Sequence, residues 1–198
     1  MTDASPATWL SNPGLIRRCG DFYLAASAVA LGDVTIGAGS SVWPFACIRG
    51  DVAPIVIGER VSVQDYAMLH CRHGVPLVIG DDVIIGHHAT VHCARVGRGV
   101  LVGIRSAILD DSQIGDDCIV AAGAVVVPGT VVPPGTVMAG IPAKPLREVS
   151  DRDRRYMSAV AARYVALAQA HVDGRFPPLA PLPAAPAEAA GLGDGGGS

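Results

Sequence analysis

The feature that most constrains this chain is a six-residue period. Aliphatic residues stand at Ile36, Val42 and Ile48, return at Ile57, Val63 and Leu69, and return again at Ile79, Ile85 and Val91. From Val96 the series runs on through Val102, Ile108, Ile114, Val120, Val126 and Val132 to Met138. Within the later run the phase slips once, between Val91 and Val96. A helix needs apolar residues every three or four positions and a plain strand every two. A period of six fits a short strand, a tight turn and another short strand. Three such strands close a triangular coil of about 18 residues, and stacked coils pair as parallel strands about 4.8 Å apart. No coil can bury its face alone, so stacking makes one continuous core. A β-sandwich would show alternation and irregular strand spacing instead. Glycine follows the aliphatic residue at 37, 58, 80, 86, 97, 103 and 115, which suits sharp repeated corners.

Composition agrees with a solenoid. Half of the residues are hydrophobic and only 5% aromatic, so the core is made of Val, Ile and Ala rather than rings. The net charge of −3 argues against a nucleic-acid partner, which needs a basic face. "MTDASPATWL" has no basic stretch followed by an apolar run, so no secretory signal is read there. The longest apolar stretch, "CIVAAGAVVV" at 118–127, is stopped by Pro128. That is short of the roughly 20 residues a membrane helix needs, so no membrane partner is expected. Five cysteines without CxxC spacing read as a reduced, cytoplasmic chain.

The expected organisation is a β-helix domain over 1–145, with coils from about residue 30, a C-terminal helix within 146–172, and a disordered Pro-, Ala- and Gly-rich tail over 173–198. Pro142 and Pro145 end the repeat. Ser150 and Asp153 form an S-x-x-D capping box. The helix over 151–171 places Met157, Val160, Tyr164, Leu167 and Ala168 near one face.

The coil register places the polar residues. On a strand, the residue after a core position faces outward. Arg49, His70 and His92 each follow a core residue on the third strand of successive coils, so they stack in one outward column. Asp65 and His87 lie two residues past the core on the second strand, one coil apart, with Gln64 beside Asp65. Two stacked histidines can both reach one zinc at about 2.0–2.1 Å, and a third ligand would have to come round a corner. In a symmetric trimer, His87 of a neighbour could supply it, leaving a fourth position open for water. Spacing alone leaves solvated surface histidines, or a base in a metal-free acyltransferase, equally open. Cys71 and Cys93 also stack, directly after the two histidines. They read as small buried residues, with mixed Cys/His ligation as the alternative. His88, with no stacked partner, reads as structural or exposed. His73, in a turn, and His171, at the helix end, read as bystanders.

"IRGD" at 48–51, "VQDYAMLH" at 63–70, "GHHATVH" at 86–92 and "GIPAK" at 140–144 together resemble the motif set of the gamma-class carbonic anhydrases, over about residues 15–170. The resemblance implies a left-handed parallel β-helix of hexapeptide repeats with a C-terminal α-helix, assembled as a homotrimer. It implies Zn²⁺ on His70 and His92 of one chain and His87 of a neighbour, a site that Fe²⁺ or Co²⁺ can also occupy. Arg49, Asp51 and Asp65 resemble interface residues, Asp65 being the acidic partner of the arginine. Gln64 resembles the residue that orients metal-bound water, and Tyr164 a tyrosine kept near the metal; with Arg49 and Asp65 they make the implied catalytic set. The implied reaction is reversible hydration of CO₂ to bicarbonate by a metal-bound hydroxide, with a proton carrier to regenerate it.

The sequence departs from active members at two places. Val52 stands where they carry a glutamate after RGD, and "CRHGVPLVIGDD" replaces an acidic loop, leaving His73, Asp81 or buffer to carry protons. Three other functions therefore compete: a metal-dependent hydrolase of another carbonyl such as a thioester, a metal-free hexapeptide acyltransferase, and a non-catalytic trimeric scaffold.

Overall fold

The periodic aliphatic positions form the inside of a three-faced prism. In the computed structural model, which describes residues 15–92 and 95–176, sixteen of the seventeen expose 2% of their surface or less. Ile36 is half-buried, because it lies on an end coil with a neighbour on one side only. The strands are mostly two residues long and pair in parallel, core residue to core residue. Val42, Val63, Ile85, Val102, Val120 and Met138 line the second face. Ile48, Leu69, Val91, Ile108 and Val126 line the third, and Ile57, Ile79, Val96, Ile114 and Val132 the first. About six coils stack into a left-handed parallel β-helix. Each fully buried Ile, Leu or Val contributes about 1.5–3 kcal/mol. The many short strands therefore hold through the shared core rather than singly.

The stack begins earlier than residue 30. The strand Phe22–Ala25 already pairs in parallel with the next coil, Leu24 opposite Val42, and Ala30 lies opposite Ile48. Leu24 and Ala30 extend the six-residue series backwards. Ala30 conceals this, being too small to stand out as aliphatic. At the other end the parallel repeat stops at Gly140, and the chain returns as an antiparallel strand, Ala143–Glu148. Pro145 is tolerated in it because the strand is an edge, where a missing N–H costs no ladder bond.

The corners also differ from the simple glycine reading. Left-handed backbone falls three residues past the core position, at Phe45, Tyr66, His88 and Arg105 on one corner and Arg60, Asp82 and Asp117 on another. The glycines directly after the core residues serve close approach instead. A Cβ on Gly86 would sit 2.8 Å from the backbone nitrogen of Ile104 in the next coil.

The helix Asp151–Val172 starts at the expected capping box: Ser150 Oγ accepts from the Asp153 N–H, and the Asp153 carboxylate accepts from the Ser150 N–H. It runs along the second face. Met157 packs with Val137 and Val149, and Ala168 with Ile16, Tyr23, Ala25 and Trp43. The Tyr23 hydroxyl donates to Gln169 Oε1 at 2.7 Å. Among the described residues no helix is long and apolar enough to cross a membrane. The tail expected from residue 173 lies, from 177 on, outside the described residues.

Candidate metal centre

The third face carries a wired column of polar side chains. Ile48, Leu69 and Val91 are in register, so Arg49, His70 and His92 project outward one above another. They project into each other's space rather than freely into water: the His70 side chain is only 14% exposed. His70 Nδ1 lies 3.1 Å from His92 Nε2. The outer nitrogens are each taken by a carboxylate. His70 Nε2 lies 2.9 Å from Asp51 Oδ1, and His92 Nδ1 makes a short contact with Asp110. Asp51 also accepts from Arg49 at 2.5 Å. The bonds from His70 first, and from Arg49 second, hold its carboxyl below the usual range.

With both flanking carboxylates ionised, this arrangement favours one placement of protons and lone pairs. An ionised carboxylate only accepts, and a neutral imidazole has one N–H and one lone pair. With both outer nitrogens donating, the two inner nitrogens face each other as lone pairs at 3.1 Å. Two lone pairs at that distance repel unless a cation lies between them, either a shared proton or a metal ion. Two nitrogens bound to one tetrahedral zinc at about 2.05 Å are about 3.3 Å apart, close to the observed separation. The donor set fits a divalent ion of the zinc type.

The second face carries the other residues. His87 Nδ1 lies 3.0 Å from Asp65 Oδ2, one coil apart as the register predicts. Gln64 is buried at 5% exposure. Tyr164, on the helix, meets Trp43 edge to face at 5.4 Å. Burial and then the charge of Asp65 push its phenol upward. Tyr164 therefore belongs with Asp65 and His87, round a corner from His70 and His92. Within the chain, the acidic partner of Arg49 is Asp51 rather than Asp65, because Arg49 and Asp65 stand on different faces. Among the described residues no three His, Cys, Asp or Glu side chains converge to hold a metal within one chain.

Other histidines are less inert than their spacing suggests. His88 does have a stacked partner. Its ring lies 4.8 Å from that of Tyr66 with 1° between planes, and Tyr66 stacks in turn on Phe45 at 5.0 Å. All three occupy the same left-handed corner position, a column that counting from strand positions alone does not reveal. His171 packs against Trp43 at 5.6 Å, and burial lowers its pKa against the pull of Asp65. His73 is exposed in its turn. Cys71 is buried with its thiol donating to the Ala53 carbonyl at 3.3 Å, turned away from the histidines, and burial pushes that thiol upward. Cys93 lies outside the described residues. Asp110 is the site residue that sequence reasoning missed. Its signal was an acid two residues past Ile108, in the coil that follows His92.

Comparison with known proteins agrees with both the coil and the motifs. Residues 93–128 match the model of the bacterial transferase hexapeptide, six repeats. The chain is 43% identical over 143 residues to a carbonic anhydrase of Geobacillus kaustophilus, covering 72% of this chain and 79% of that protein. The chain belongs to the gamma-class carbonic anhydrase family. It is also 36% identical over 134 residues to the carnitine operon protein CaiE of a Proteus species, covering 68% of each. Among solved structures, a hexapeptide transferase family protein from Anaplasma phagocytophilum superimposes with a TM-score of 0.72 at 34% identity, over 76% of this chain and 89% of the other. Against this family background, Val52 is a half-buried residue packed on the hydrophobic core. Asp81 is occupied as well, its carboxylate accepting from the Glu59 N–H at 2.8 Å.

Proposed function

We propose that this chain is a metal-dependent carbonic anhydrase of the gamma class, hydrating CO₂ reversibly at a centre shared between subunits of a homotrimer. The supporting observation is the pair of inner nitrogens of His70 and His92, 3.1 Å apart, each ring held from outside by a carboxylate. His70 and His92 would hold Zn²⁺, or Fe²⁺ or Co²⁺, from one side, and His87 of a neighbouring copy from the other. A divalent metal bound there lowers the pKa of water to about 7 and so supplies a nucleophile at neutral pH. Asp51 and Asp110 keep the two imidazoles in the donor tautomer. Arg49 balances Asp51. Asp65 orients His87 through Nδ1, and the buried Gln64 and half-buried Tyr164 supply hydrogen-bonding groups beside it.

The same geometry leaves proton removal to the exposed His73 or to buffer, since Val52 is apolar and Asp81 is engaged elsewhere. This favours a second reading, a centre that activates water for another carbonyl such as a thioester. The deciding experiment is to purify the protein anaerobically, measure metal per trimer, and follow CO₂ hydration by stopped flow with and without imidazole. Three metals per trimer with turnover that imidazole raises supports the anhydrase. Full metal and no turnover in either buffer sinks it and leaves the thioester reading to be tested.

A further inference from the structure

The loop after Ile108 is built to aim one carboxylate at His92. Ser112 N–H donates to the Leu109 carbonyl at 3.2 Å, closing a tight turn, and the Gly129 N–H of the next coil donates to the Asp110 carbonyl at 2.8 Å. Arg72 reaches across to the neighbouring acid, donating to Asp111 Oδ1 at 3.0 Å. The two consecutive acids are thus divided. Asp111 faces Arg72, and Asp110 faces His92 Nδ1. Asp51 holds the outer nitrogen of His70 at 2.9 Å on the other side, so the four residues form one line: carboxylate, imidazole, imidazole, carboxylate.

We infer that Asp110 is a positioning residue for His92: by accepting the Nδ1 proton it fixes the tautomer and ring orientation that leave Nε2 as a lone-pair donor toward His70. Without it the ring can exchange its N–H between nitrogens or rotate about its bond to Cβ. A carboxylate behind a ligating histidine both orients it and raises its basicity, and losing such a partner typically costs 10–100-fold in metal affinity. As far as it concerns metal, the inference rests on the proposed function; the tautomer does not depend on it.

The test uses the full chain and its Asp110→Asn, Asp110→Glu and Asp111→Asn variants, each first shown to keep the parent's dichroism and size. Zinc affinity is measured by chelator competition. The tautomer of His92 is read from isotope-labelled histidine nitrogen spectra of the metal-free proteins. Asp110→Asn should weaken zinc by about 10–100-fold and shift His92 away from the Nδ1–H form, since the new amide can donate to Nδ1. Asp110→Glu should recover part of both effects, and Asp111→Asn should change neither. If Asp110→Asn leaves the His92 tautomer and zinc affinity at parental values, the inference is overturned while the metal reading stands. If the parent binds no zinc yet Asp110→Asn shifts the tautomer, the metal reading fails and the positioning role stands.

Discussion

The second and third faces of the prism hold comparable chemistry in different states of completion. On the third face the polar side chains bond one another in an unbroken line from Arg49 through Asp51, His70 and His92 to Asp110. On the second face the His87 side chain pairs with Asp65 at 3.0 Å, and the helix supplies the surroundings: Tyr164 and His171 against Trp43. The third face is organised within the coils, by register and the tight turn at 109–112, whereas the second also needs the docked helix. A column in register can preorganise two metal donors within one chain. Under the proposed function, the third donor, on another face, would be brought by a second copy.

The strongest break of this picture comes from the ligands. Replacing His70 or His92 with Ala should lower zinc affinity more than about 100-fold, beyond the loss expected for an outer partner. His87→Ala should do the same, read as metal retained after gel filtration, although His87 touches neither of the others within the chain. Stoichiometric metal in His87→Ala would show that the two faces do not meet in one centre.

Trp43→Ala should destabilise the fold by about 3–5 kcal/mol in urea unfolding, the range for a buried large aromatic, because it removes the ring that Tyr164 and His171 pack against. The effect should be confined to the second face: the His92 nitrogen spectrum should not move. A change at His92 would mean that the helix also organises the third face.

Tyr66→Ala removes the middle ring between Phe45 and His88 and should cost about 0.5–1.5 kcal/mol beyond its buried area. A loss of several kcal/mol would mean that this corner column bears on the core.

The gentlest comparison is Asp65→Asn. The Asp65 anion disfavours the Tyr164 phenolate, so its removal should bring the Tyr164 pKa down, though burial keeps it above about 10. In the parent, this tyrosine's stabilisation is complete below about pH 10 and is lost as pH rises through the higher folded pKa. In the variant that loss should be smaller and should end at a lower pH, because the folded pKa lies nearer the unfolded value. Phenolate absorbance against pH checks the shift, and an unchanged curve would place Asp65 away from the helix.

Much of this was legible in the sequence because a solenoid turns spacing into position. Six-residue counting put Arg49, His70 and His92 in one column, put Asp65 beside His87, and showed Ser150 and Asp153 as a helix start. It failed where position depends on more than strand register. Ala30 hid the first coil because its side chain is small. His88 looked alone because its stack with Tyr66 runs up a left-handed corner. Asp110 was passed over because its relation to His92 depends on the tight turn at 109–112. His171 looked inert because its contacts lie across the helix interface.

What the sequence determined by itself is therefore the repeat, its register and the family: periodic apolar residues can be buried together only by stacking coils, and stacking dictates which side chains neighbour which. What only the tertiary structure decided is the direction of the hydrogen bonds. Whether His70 turns to Asp51 or to solvent, and whether Asp110 or Asp111 faces His92, depends on rotamers and turn geometry a few ångströms in scale. Spacing along the chain carries no information about those choices, because neighbouring side chains in the column compete for the same donors and only their packed arrangement resolves the competition.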